Sequence, residues 1–556
     1  MKEAYIYKHN PIVKRIFLSM LAPTILMNLT TAIGSVADTI IIGQYLDELS
    51  LSVVTFATPI FMIINTFAAL FAVGGCISMS IDSGKGNKKS ANQAFSTSIE
   101  LLCFVGILLY ICGTFFSNTI TGWLGATGEV FGLVEQYSRI ILIGGPVFVL
   151  NIGLAFFVRN DGQPTLSMVG MFSSIVVDVI LNFVFVGHLG WGVAGAAYST
   201  VFGQIVSILI ICTHFLSSKN TLKFKFTFNK TILRIIKNGV SSALNFIYQF
   251  LVILIMNHIL VKIAPASGVI IYTVVFNLST VSLSVFEGIS QTIQPMISNY
   301  FGEKSFKNIK ATLRLALIAI FAICGSVTLI LEIVPNIVPV VFGIEDVLLI
   351  EKASVAVRIF ATSMIIMTIN VVISYYLQST EQTTIAAIFV SLRSFILLLI
   401  STIILGLSFG MNGIWASYTT AEVLSLIFII CLLRTKKKNN KADNKETYCF
   451  TYSSLSGDLD NFVNYVSTYI KDSCVFSQEI YDNTTLYLNL LKKVFIAKKN
   501  RYIEIEINTS DRIIIIRDNI KNTDISDSTQ KYFANNSDLE YGPVLGWNRM
   551  YIKQGE

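Results

Sequence analysis

The sequence contains about a dozen apolar runs that are long enough to cross a membrane as helices. The hydrocarbon core of a bilayer is about 30 Å thick and a helix rises about 1.5 Å per residue, so one crossing needs about 20 apolar residues. The predicted crossings span residues 16–42, 52–80, 95–117, 137–157, 165–187, 192–216, 239–262, 268–297, 311–336, 353–377, 384–407 and 411–433.

The composition agrees with a chain that lies mostly in lipid. Of its 556 residues, 53% are hydrophobic and 13% are charged, whereas a soluble domain carries roughly 25% charged residues. The first apolar run is too long for the core of a cleaved signal peptide, so we expect it to remain as the first crossing. The sequence therefore predicts an all-α polytopic membrane protein with membrane lipid, and no nucleic acid, as a partner.

Basic residues are concentrated in every second loop, which sets the orientation of the chain. By the positive-inside rule these loops lie in the cytoplasm. The intervening loops carry acidic residues instead, such as Glu129 and Glu135. We therefore expect a multi-pass protein of the cell membrane with both termini in the cytoplasm. The basic residues are Lys2, Lys8, Lys14, Arg15, Lys85, Lys88, Lys89, Lys223, Lys225, Lys230, Arg234, Lys237, Lys304, Lys307, Lys310 and Arg314.

The second half of the chain repeats features of the first half. Residues 192–199 read GVAGAAYS at the start of the sixth crossing, and residues 410–417 read GMNGIWAS at the start of the twelfth. Asn151 in the fourth crossing likewise corresponds to Asn370 in the tenth. Because both halves would enter from the same side, the pattern predicts a parallel repeat of two six-helix bundles.

Three polar residues at membrane depth in the first half form a candidate ion site. Asp38 lies late in the first crossing, and Asp178 lies four residues before Asn182 in the fifth, so the last two share one helix face. A carboxylate is costly in the membrane and marks a functional site there. Carboxylate and amide oxygens can bind a proton or a sodium ion. The alternative is a polar contact that only holds helices together.

Charged residues are also predicted within the second half of the membrane domain. Glu287 lies in the eighth crossing, Arg393 in the eleventh and Glu422 in the twelfth. Arg393 can pair with either carboxylate, and such a pair suits a structural clamp as well as a transport role. Together with Asn370, these three are the candidate substrate or ion residues of the second half.

Four stretches of the sequence resemble motifs of the multidrug and toxic compound extrusion (MATE) family, in the family's order and spacing. The resemblance extends from about residue 10 to residue 433. The stretches are Pro23 with Asp38–Gly43, Arg159–Pro164, Gly190–Ala197, and Gln294–Pro295 followed by Asn299–Gly302.

The resemblance implies two six-helix bundles that face each other as a V and rock to give alternating access. It also implies antiport of small organic cations against H⁺ or Na⁺. The main coupling carboxylate of the family, in the first crossing, corresponds to Asp38, and the fourth-crossing asparagine of the same site corresponds to Asn151. Asp38, Asp178 and Asn182 are then the candidate sodium ligands, and we expect no other cofactor.

Two positions depart from the family pattern. Members usually have asparagine followed four residues later by aspartate in the fifth crossing, whereas this chain has Asp178 followed by Asn182. Some members have a glutamate in the seventh crossing where this chain has Asn245, and Glu287 is the candidate substitute. The resemblance therefore leaves the coupling ion open between a proton and sodium.

Two other functions remain open besides multidrug efflux. A lipid-linked precursor flippase of the same superfamily would share the fold but usually needs a strongly cationic central cavity, and basic residues at membrane depth are few here. A membrane sensor that signals through the C-terminal part of the chain would not need the membrane carboxylates. We therefore favour a secondary active efflux transporter over both.

The chain changes from apolar to mixed composition after the last crossing. It divides into an N-lobe at residues 1–217, a C-lobe at 218–435, a polar linker at 436–446 and a cytoplasmic α+β domain at 447–556. In the α+β domain, strict alternation of apolar and polar residues predicts a half-buried strand, and a continuous apolar run predicts a buried strand. The predicted elements are helices at 459–474 and 477–499, strands at 502–507 and 512–517, and a strand or helix at 548–553.

This C-terminal unit resembles the ATP-binding fold of anti-sigma-factor kinases and histidine kinases. Glu479 and Asn483 have the spacing of the family's magnesium and ATP residues, and Asp518 matches the aspartate after a strand. The glycine expected two residues later is Ile520. We therefore expect a catalytically inactive domain, so that the whole chain is not an enzyme, and a regulatory module that binds a cytoplasmic protein.

Overall fold

The structure is a computed structural model of the full chain. It describes residues 11–439, except residues 47, 227–230, 264–265, 343 and 345. Beyond the linker it describes residues 447–453, 459–473, 475–495, 502–519 and 539–554. The described part of the chain is mostly helical, with one β-sheet near its C-terminus.

The long apolar runs of the first half form helices, which lie within the predicted N-lobe. The π-helical segments Ala69–Val73 and Phe183–His188 extend two of these helices, and the 3₁₀ turn Thr213–Leu216 ends the last one. The helices are α1 (Pro11–Tyr45), α2 (Glu48–Ala68), α3 (Gly74–Gly84), α4 (Lys88–Phe115), α5 (Ser117–Trp123), α6 (Val130–Ile143), α7 (Gly145–Asn160), α8 (Pro164–Asn182) and α9 (Gly192–Cys212).

The second half, the predicted C-lobe, is helical in the same way, and its last helix extends to Asn439. The π-helical segments Ile320–Cys324 and Leu392–Ile396 join successive helices into longer runs. The helices are α10 (Thr231–Ile263), α11 (Ala266–Gly302), α12 (Phe306–Ala319), α13 (Gly325–Ile333), α14 (Ile337–Val341), α15 (Val347–Ala361), α16 (Met364–Ser379), α17 (Thr383–Ser391) and α18 (Leu397–Asn439).

The helices of the described residues account for the predicted crossings. Nine runs are long and apolar enough to cross a membrane, and two bent helix pairs bring the number to 11. The last run, Thr383–Thr435, has 53 residues and would measure about 80 Å if straight, more than twice the thickness of the hydrocarbon core. Counted as two crossings, it completes the twelve that the sequence predicts.

The last run does fold back on itself, at Gly410. This residue has φ 59° and ψ −137° within α18, a backbone conformation that only glycine adopts readily. The hydroxyl oxygens of Thr402 and Ser417 lie 2.9 Å apart, although on a straight helix these residues would be about 22 Å apart. The run is therefore a helical hairpin.

Two predicted crossings are bent rather than straight. α6 and α7 meet at an angle of 49°, and α15 and α16 meet at 41°. The first bend falls at Gly144 and Gly145, directly before Pro146, where a missing side chain and a missing amide hydrogen weaken the helix. The predicted crossing at residues 137–157 is therefore formed by parts of two shorter helices.

The two lobes approach each other most closely where glycines line the contact. A Cβ on Gly239 of α10 would lie 1.8 Å from the carbonyl oxygen of Leu70, and one on Gly74 would lie 2.1 Å from the carbonyl oxygen of Ile235. Backbone of one lobe therefore packs directly on backbone of the other, as small residues permit in membrane helices.

The C-terminal unit is a five-stranded antiparallel sheet with two helices. Its strands lie in the order β1-β2-β3-β5-β4. The two predicted helices and the two predicted strands are present, and the last element, left open as a strand or a helix, is a strand. Strands β1 and β4 are additional. The elements are β1 (Thr447–Ser453), α19 (Leu459–Asp472), α20 (Gln478–Phe495), β2 (Tyr502–Asn508), β3 (Ile513–Asp518), β4 (Leu539–Val544) and β5 (Trp547–Lys553).

The sheet lies against one end of the membrane domain, which we call the sheet-side face. The ends of α3 and α11 and the starts of α4 and α12 meet the sheet there. The basic loops at residues 85–89 and 304–310 belong to this face. The predicted fold class, an all-α membrane domain with a small α+β unit, is confirmed.

Candidate functional site

A polar stripe along α8 positions the first candidate site. The residues of this helix that face the protein interior include Ser174, Asp178 and Asn182, at spacings of four. Its exposed apolar residues are Val169, Phe172, Val176 and Ile180. In a membrane helix such a stripe indicates contact with other helices or with a cavity rather than with lipid. α8 packs between α1 and α9, so the stripe meets Asp38 of α1.

The amide of Asn182 bridges the two carboxylates. Its Nδ2 donates to Asp38 Oδ1 at 2.8 Å and to Asp178 Oδ1 at 3.3 Å. The hydroxyls of Ser199 and Thr200 on α9 also approach the Asp178 carboxyl. The structure therefore brings together three of the four residues that the sequence predicts for ion coupling.

This site contains two carboxyl groups with little access to water. Asp178 is 5% exposed, Asn182 is fully buried and Asp38 is half-buried. Two carboxylates in a medium of low dielectric repel each other, and desolvating them is costly unless a positive charge or a proton compensates. The arrangement can therefore take up a proton or a monovalent cation, which is the chemistry that ion coupling needs.

Asn151, the fourth predicted residue, lies in the same lobe but has a different polar partner. Its Nδ2 donates to Gln204 Oε1 of α9 at 2.5 Å. Among the described residues, the Oδ1 atoms of Asn151 and Asn182 are buried without a hydrogen-bond partner. Buried carbonyl oxygens are rarely unsatisfied, so both are candidate oxygen ligands for a cation.

In the C-lobe, Arg393 pairs with Glu422 and not with Glu287. Arg393 Nε lies 2.9 Å from Glu422 Oε1, and Asn370 Nδ2 donates to Glu422 Oε2 at 2.6 Å. All three side chains are buried. The structure thus decides between the two pairs that the sequence left open, and three of the four predicted C-lobe residues form one closed cluster.

Glu287 lies apart from that cluster. Its Oε1 accepts a long hydrogen bond of 3.4 Å from Asn245 Nδ2, and Asn245 Oδ1 accepts one from Ser394 at 3.3 Å. The Glu287 side chain is half-buried. Asn245, where the sequence departs from the family pattern, and Glu287, its candidate substitute, are therefore neighbours in the structure.

The internal repeat extends to residues that the sequence analysis did not select. Asn151 with Gln204 in the N-lobe corresponds to Asn370 with Glu422 in the C-lobe, since the same spacing that relates the two repeat motifs relates Gln204 to Glu422. Aligning the two halves residue by residue would have identified Gln204. The pairs join equivalent helices, α7 with α9 and α16 with α18.

Arg159 joins the two lobes. This fully buried side chain donates from Nη1 to Gln291 Oε1 at 2.6 Å and from Nη2 to Gln294 Oε1 at 3.4 Å. Asn28 of α1 exchanges two hydrogen bonds of 3.1 Å with Gln291. In the sequence, Arg159 and Gln294 belong to two separate motifs, and the structure brings these motifs together.

An ion pair links the lobes closer to the sheet-side face. Arg234 Nη1 of α10 lies 2.8 Å from Asp82 Oδ1 of α3, and its Nε lies 2.9 Å from Glu381 Oε1. Asn238 Nδ2 donates to Ser78 Oγ at 3.0 Å one turn further along. The lobes are therefore held together by polar contacts on the half of the molecule that carries the sheet.

The described residues contain no group of three or more His, Cys, Asp or Glu side chains arranged to hold a metal ion. The candidate sodium ligands, two carboxylates and one amide, do not form such a group because only two of them are acidic side chains.

Asp518 of the C-terminal sheet is the aspartate selected by the kinase resemblance. It accepts hydrogen bonds from Tyr487 Oη at 2.6 Å and Asn548 Nδ2 at 3.1 Å.

Comparison with known sequences finds one family and several named relatives. The family model MatE matches residues 23–184 and 239–404. The chain is 26% identical over 435 residues to the multidrug export protein MepA of Staphylococcus saprophyticus, covering 76% of this chain and 94% of that protein. It is 24% identical over 431 residues to MepA of Staphylococcus haemolyticus, with the same coverage of 76% and 94%.

Comparison with solved structures agrees on the fold. A structure described as the outward-facing conformation of a multidrug resistance MATE family transporter matches with a TM-score of 0.72 and 19% identity. The match covers 78% of this chain and 99% of that one. The membrane domain therefore has the fold of these proteins, and about a quarter of the chain lies outside the matches.

Proposed function

This chain belongs to the MATE family, whose model matches more than half of it, and we propose that it is a multidrug exporter that antiports organic cations against protons or sodium ions. Members of the family are transporters rather than enzymes, and this chain is a multi-pass membrane protein. Both Staphylococcus relatives are named as multidrug export proteins, which supports a broad range of small-molecule substrates for this chain.

One observation carries the ion-coupling part of the proposal: Asn182 bridges the carboxyl groups of Asp38 and Asp178 inside the N-lobe. A proton or a sodium ion bound here would remove the repulsion between the two groups. The exchanged order of Asp178 and Asn182, compared with the family pattern, leaves both groups on the same helix face. The site can therefore keep its function in this chain.

Helix α1 connects this ion site to the contact between the lobes. Asp38 lies towards one end of α1, and Asn28, which bonds to Gln291 of the C-lobe, lies about 15 Å away along the helix axis. Ion binding draws α1 towards α8, and ion release restores the repulsion between the carboxylates. Because α1 also packs against α11, such a shift acts on the interface whose opening alternating access requires.

Organic cations fit the C-lobe better than anionic lipid-linked precursors do. The guanidinium of Arg393 is paired with Glu422, so its charge is already compensated and is not free to bind an anion. Glu287 is half-buried and holds a single long hydrogen bond from Asn245. A carboxylate in that state attracts a cation that enters the membrane domain, which favours cation export over the flippase alternative.

We propose that the sheet-side face lies in the cytoplasm of the cell, because the basic loops belong to it. The proposed units are the N-lobe at residues 1–217, the C-lobe at 218–435, the linker at 436–446 and the cytoplasmic domain at 447–556. The proposed domain has no ATPase role, and the two protein hydrogen bonds to Asp518 support this.

The Asp38→Asn variant tests the coupling role. We expect it to insert and fold normally but to lose gradient-driven efflux of a fluorescent organic cation from proteoliposomes. Glu129→Gln, which changes an exposed carboxylate in a loop, is the matched control and should transport at the wild-type rate. Normal efflux by the Asp38→Asn variant would exclude this residue from coupling.

A further inference from the structure

The C-terminal sheet has an apolar face and a polar face, and the structure buries both. Alternation along β2 places Ile503, Ile505 and Ile507 in the core formed with α19 and α20. Glu504 and Glu506 point to the opposite face of the sheet, yet they are only 0% and 3% exposed. The polar face is covered by the membrane domain rather than by water.

The C-lobe covers this face with the start of α12. Ser305 Oγ donates to Glu506 Oε2 at 2.8 Å, and Asn308 Nδ2 donates to Glu504 Oε1 at 3.0 Å. Buried carboxylates are destabilising unless hydrogen bonds and positive charges satisfy them. The contact is therefore chemically complementary and not only a steric approach.

Charged groups join the sheet to the same lobe. Glu303, in the loop after α11, is completely buried in its side chain and pairs with Arg517 of β3. At the edge of the contact, Lys304 Nζ lies 2.7 Å from Asp511 Oδ1. The Glu303 pair is shielded from water whereas Lys304 is exposed, and exposed pairs contribute little to stability, so the Glu303 contact holds the sheet more strongly.

The N-lobe contacts the sheet near its other edge, at β4 and the β4–β5 turn. Lys88 Nζ, at the start of α4, donates to the carbonyl oxygen of Tyr541 at 2.5 Å. Gly162, in the turn after α7, approaches the β4–β5 turn so closely that a Cβ on it would lie 2.4 Å from the amide nitrogen of Gly546. The sheet therefore contacts both lobes on the same face of the molecule.

One side chain contacts both lobes at once. Arg549 of β5 donates from Nη2 to the carbonyl oxygen of Ser83 in the N-lobe at 2.5 Å and from Nη1 to Glu303 Oε1 in the C-lobe at 3.0 Å. It lies opposite Arg517, which lies opposite Glu504, in the sheet register. These three form a charged row across neighbouring strands, directed at the junction of the lobes.

We propose that the C-terminal sheet is an intramolecular brace that holds the two lobes together on the sheet-side face and must release one of them before the transporter opens on that face. Alternating access moves one lobe relative to the other, and Arg549 cannot keep both of its contacts when Ser83 and Glu303 separate. The brace thus regulates transport from within the chain. The inference depends on lobe movement and not on the identity of substrate or ion.

The connection between the brace and the membrane domain favours a reversible contact. Only residues 440–446 separate Asn439 of α18 from Thr447 of β1. A short connection keeps the released sheet at high effective concentration near its docking site. The brace can therefore open and close repeatedly during transport.

Cys449 provides a native reporter of docking. It lies on β1 beside Glu504, with Sγ 3.6 Å from Glu504 Oε1, and is 8% exposed. In the full-length protein in nanodiscs, we expect Glu303→Gln to raise the rate at which a charged maleimide labels Cys449 by about tenfold, because two buried arginines each lose one of their carboxylate partners. Glu351→Gln, at an exposed position outside this face, is the matched control and should label like the wild type.

The second measurement follows the lobes themselves. Spin labels on unnatural amino acids at the exposed positions Lys89 and Lys310 report the distance between the lobes, and Glu303→Gln should add a population at longer distance. Lys304→Glu should act in the same direction, and adding Asp511→Lys should reverse it by restoring an ion pair.

Faster labelling together with the longer interlobe distance would support the brace, even in a protein that moves no organic cation. Unchanged labelling in a correctly folded Glu303→Gln protein would contradict the docking contact. Faster labelling with an unchanged distance between the lobes would contradict the brace. So would a Lys304→Glu, Asp511→Lys double variant that does not return to the shorter distance between the lobes.

Discussion

Docking of the C-terminal sheet should become stronger when the pH on its side of the membrane falls from about 7.5 to about 6. The responsible group is Glu506, where burial raises the pKa from 4.5 to about 7. Arg517 opposes this shift, and the carboxylates of Glu504 and Glu303 add to it. Cys449 faces Glu506 from β1, and burial raises the pKa of that thiol, so it stays neutral in this range.

The sign of the effect follows from proton uptake. In the released sheet Glu506 has its ordinary pKa of 4.5 and is ionised throughout this pH range, whereas in the docked sheet it binds a proton below about pH 7. The docked state therefore binds more protons, and acidification stabilises it. Between pH 7.5 and pH 6 the gain is about 1 kcal/mol, or about an eightfold change in the docking equilibrium. Above about pH 8, where Glu506 is ionised in both states, the dependence should vanish.

The docked fraction can be measured from distances between spin labels at Asn489 on α20 and Lys310 on α12, both exposed. Lys304→Glu provides a background in which both populations are measurable. Glu506→Gln removes this titrating carboxyl group, so the docked fraction of the variant should change less with pH than that of the unmodified protein. A docked fraction that falls on acidification, or a Glu506→Gln protein that keeps the pH dependence, would refute the reasoning.

Three further predictions concern the membrane domain. Asp178→Asn should abolish gradient-driven efflux, and adding Asn182→Asp should restore it, because both positions share one helix face; loss in the double variant would contradict this. Arg393→Met should lower stability in detergent by about 3–5 kcal/mol, because its buried carboxylate partner remains; an unchanged melting temperature would contradict the clamp. Gly239→Ala should also lower the melting temperature, because its Cβ would meet the other lobe, whereas Gly325→Ala, with open space around it, should not.

The membrane fold could be predicted because lipid restricts the chain to long apolar helices. The sequence also identified Asp38, Asp178 and Asn182, since polar groups at membrane depth stand out and a spacing of four places two of them on one face. The bend between α6 and α7 was less visible, because hydropathy is continuous across Gly144 and only the local backbone changes.

Pairings between distant residues could not be predicted in the same way. Arg393 had two carboxylates at suitable depth, and only the packing of α18 against the Leu392–Ile396 segment brings it to Glu422. The charged face of β2 resembles any solvent-exposed strand face, because Glu504 and Glu506 alternate with isoleucines. Its docking partners lie about 200 residues earlier in the chain, so no local pattern indicates them.

The most direct test of the account is efflux of a fluorescent organic cation from loaded proteoliposomes under a proton gradient or a sodium gradient, imposed separately. We predict loss of the cation that is driven by one of these gradients and is absent without it. Retention of the cation under both gradients, in protein shown to be folded and inserted, would contradict the proposal that this chain is an ion-coupled exporter.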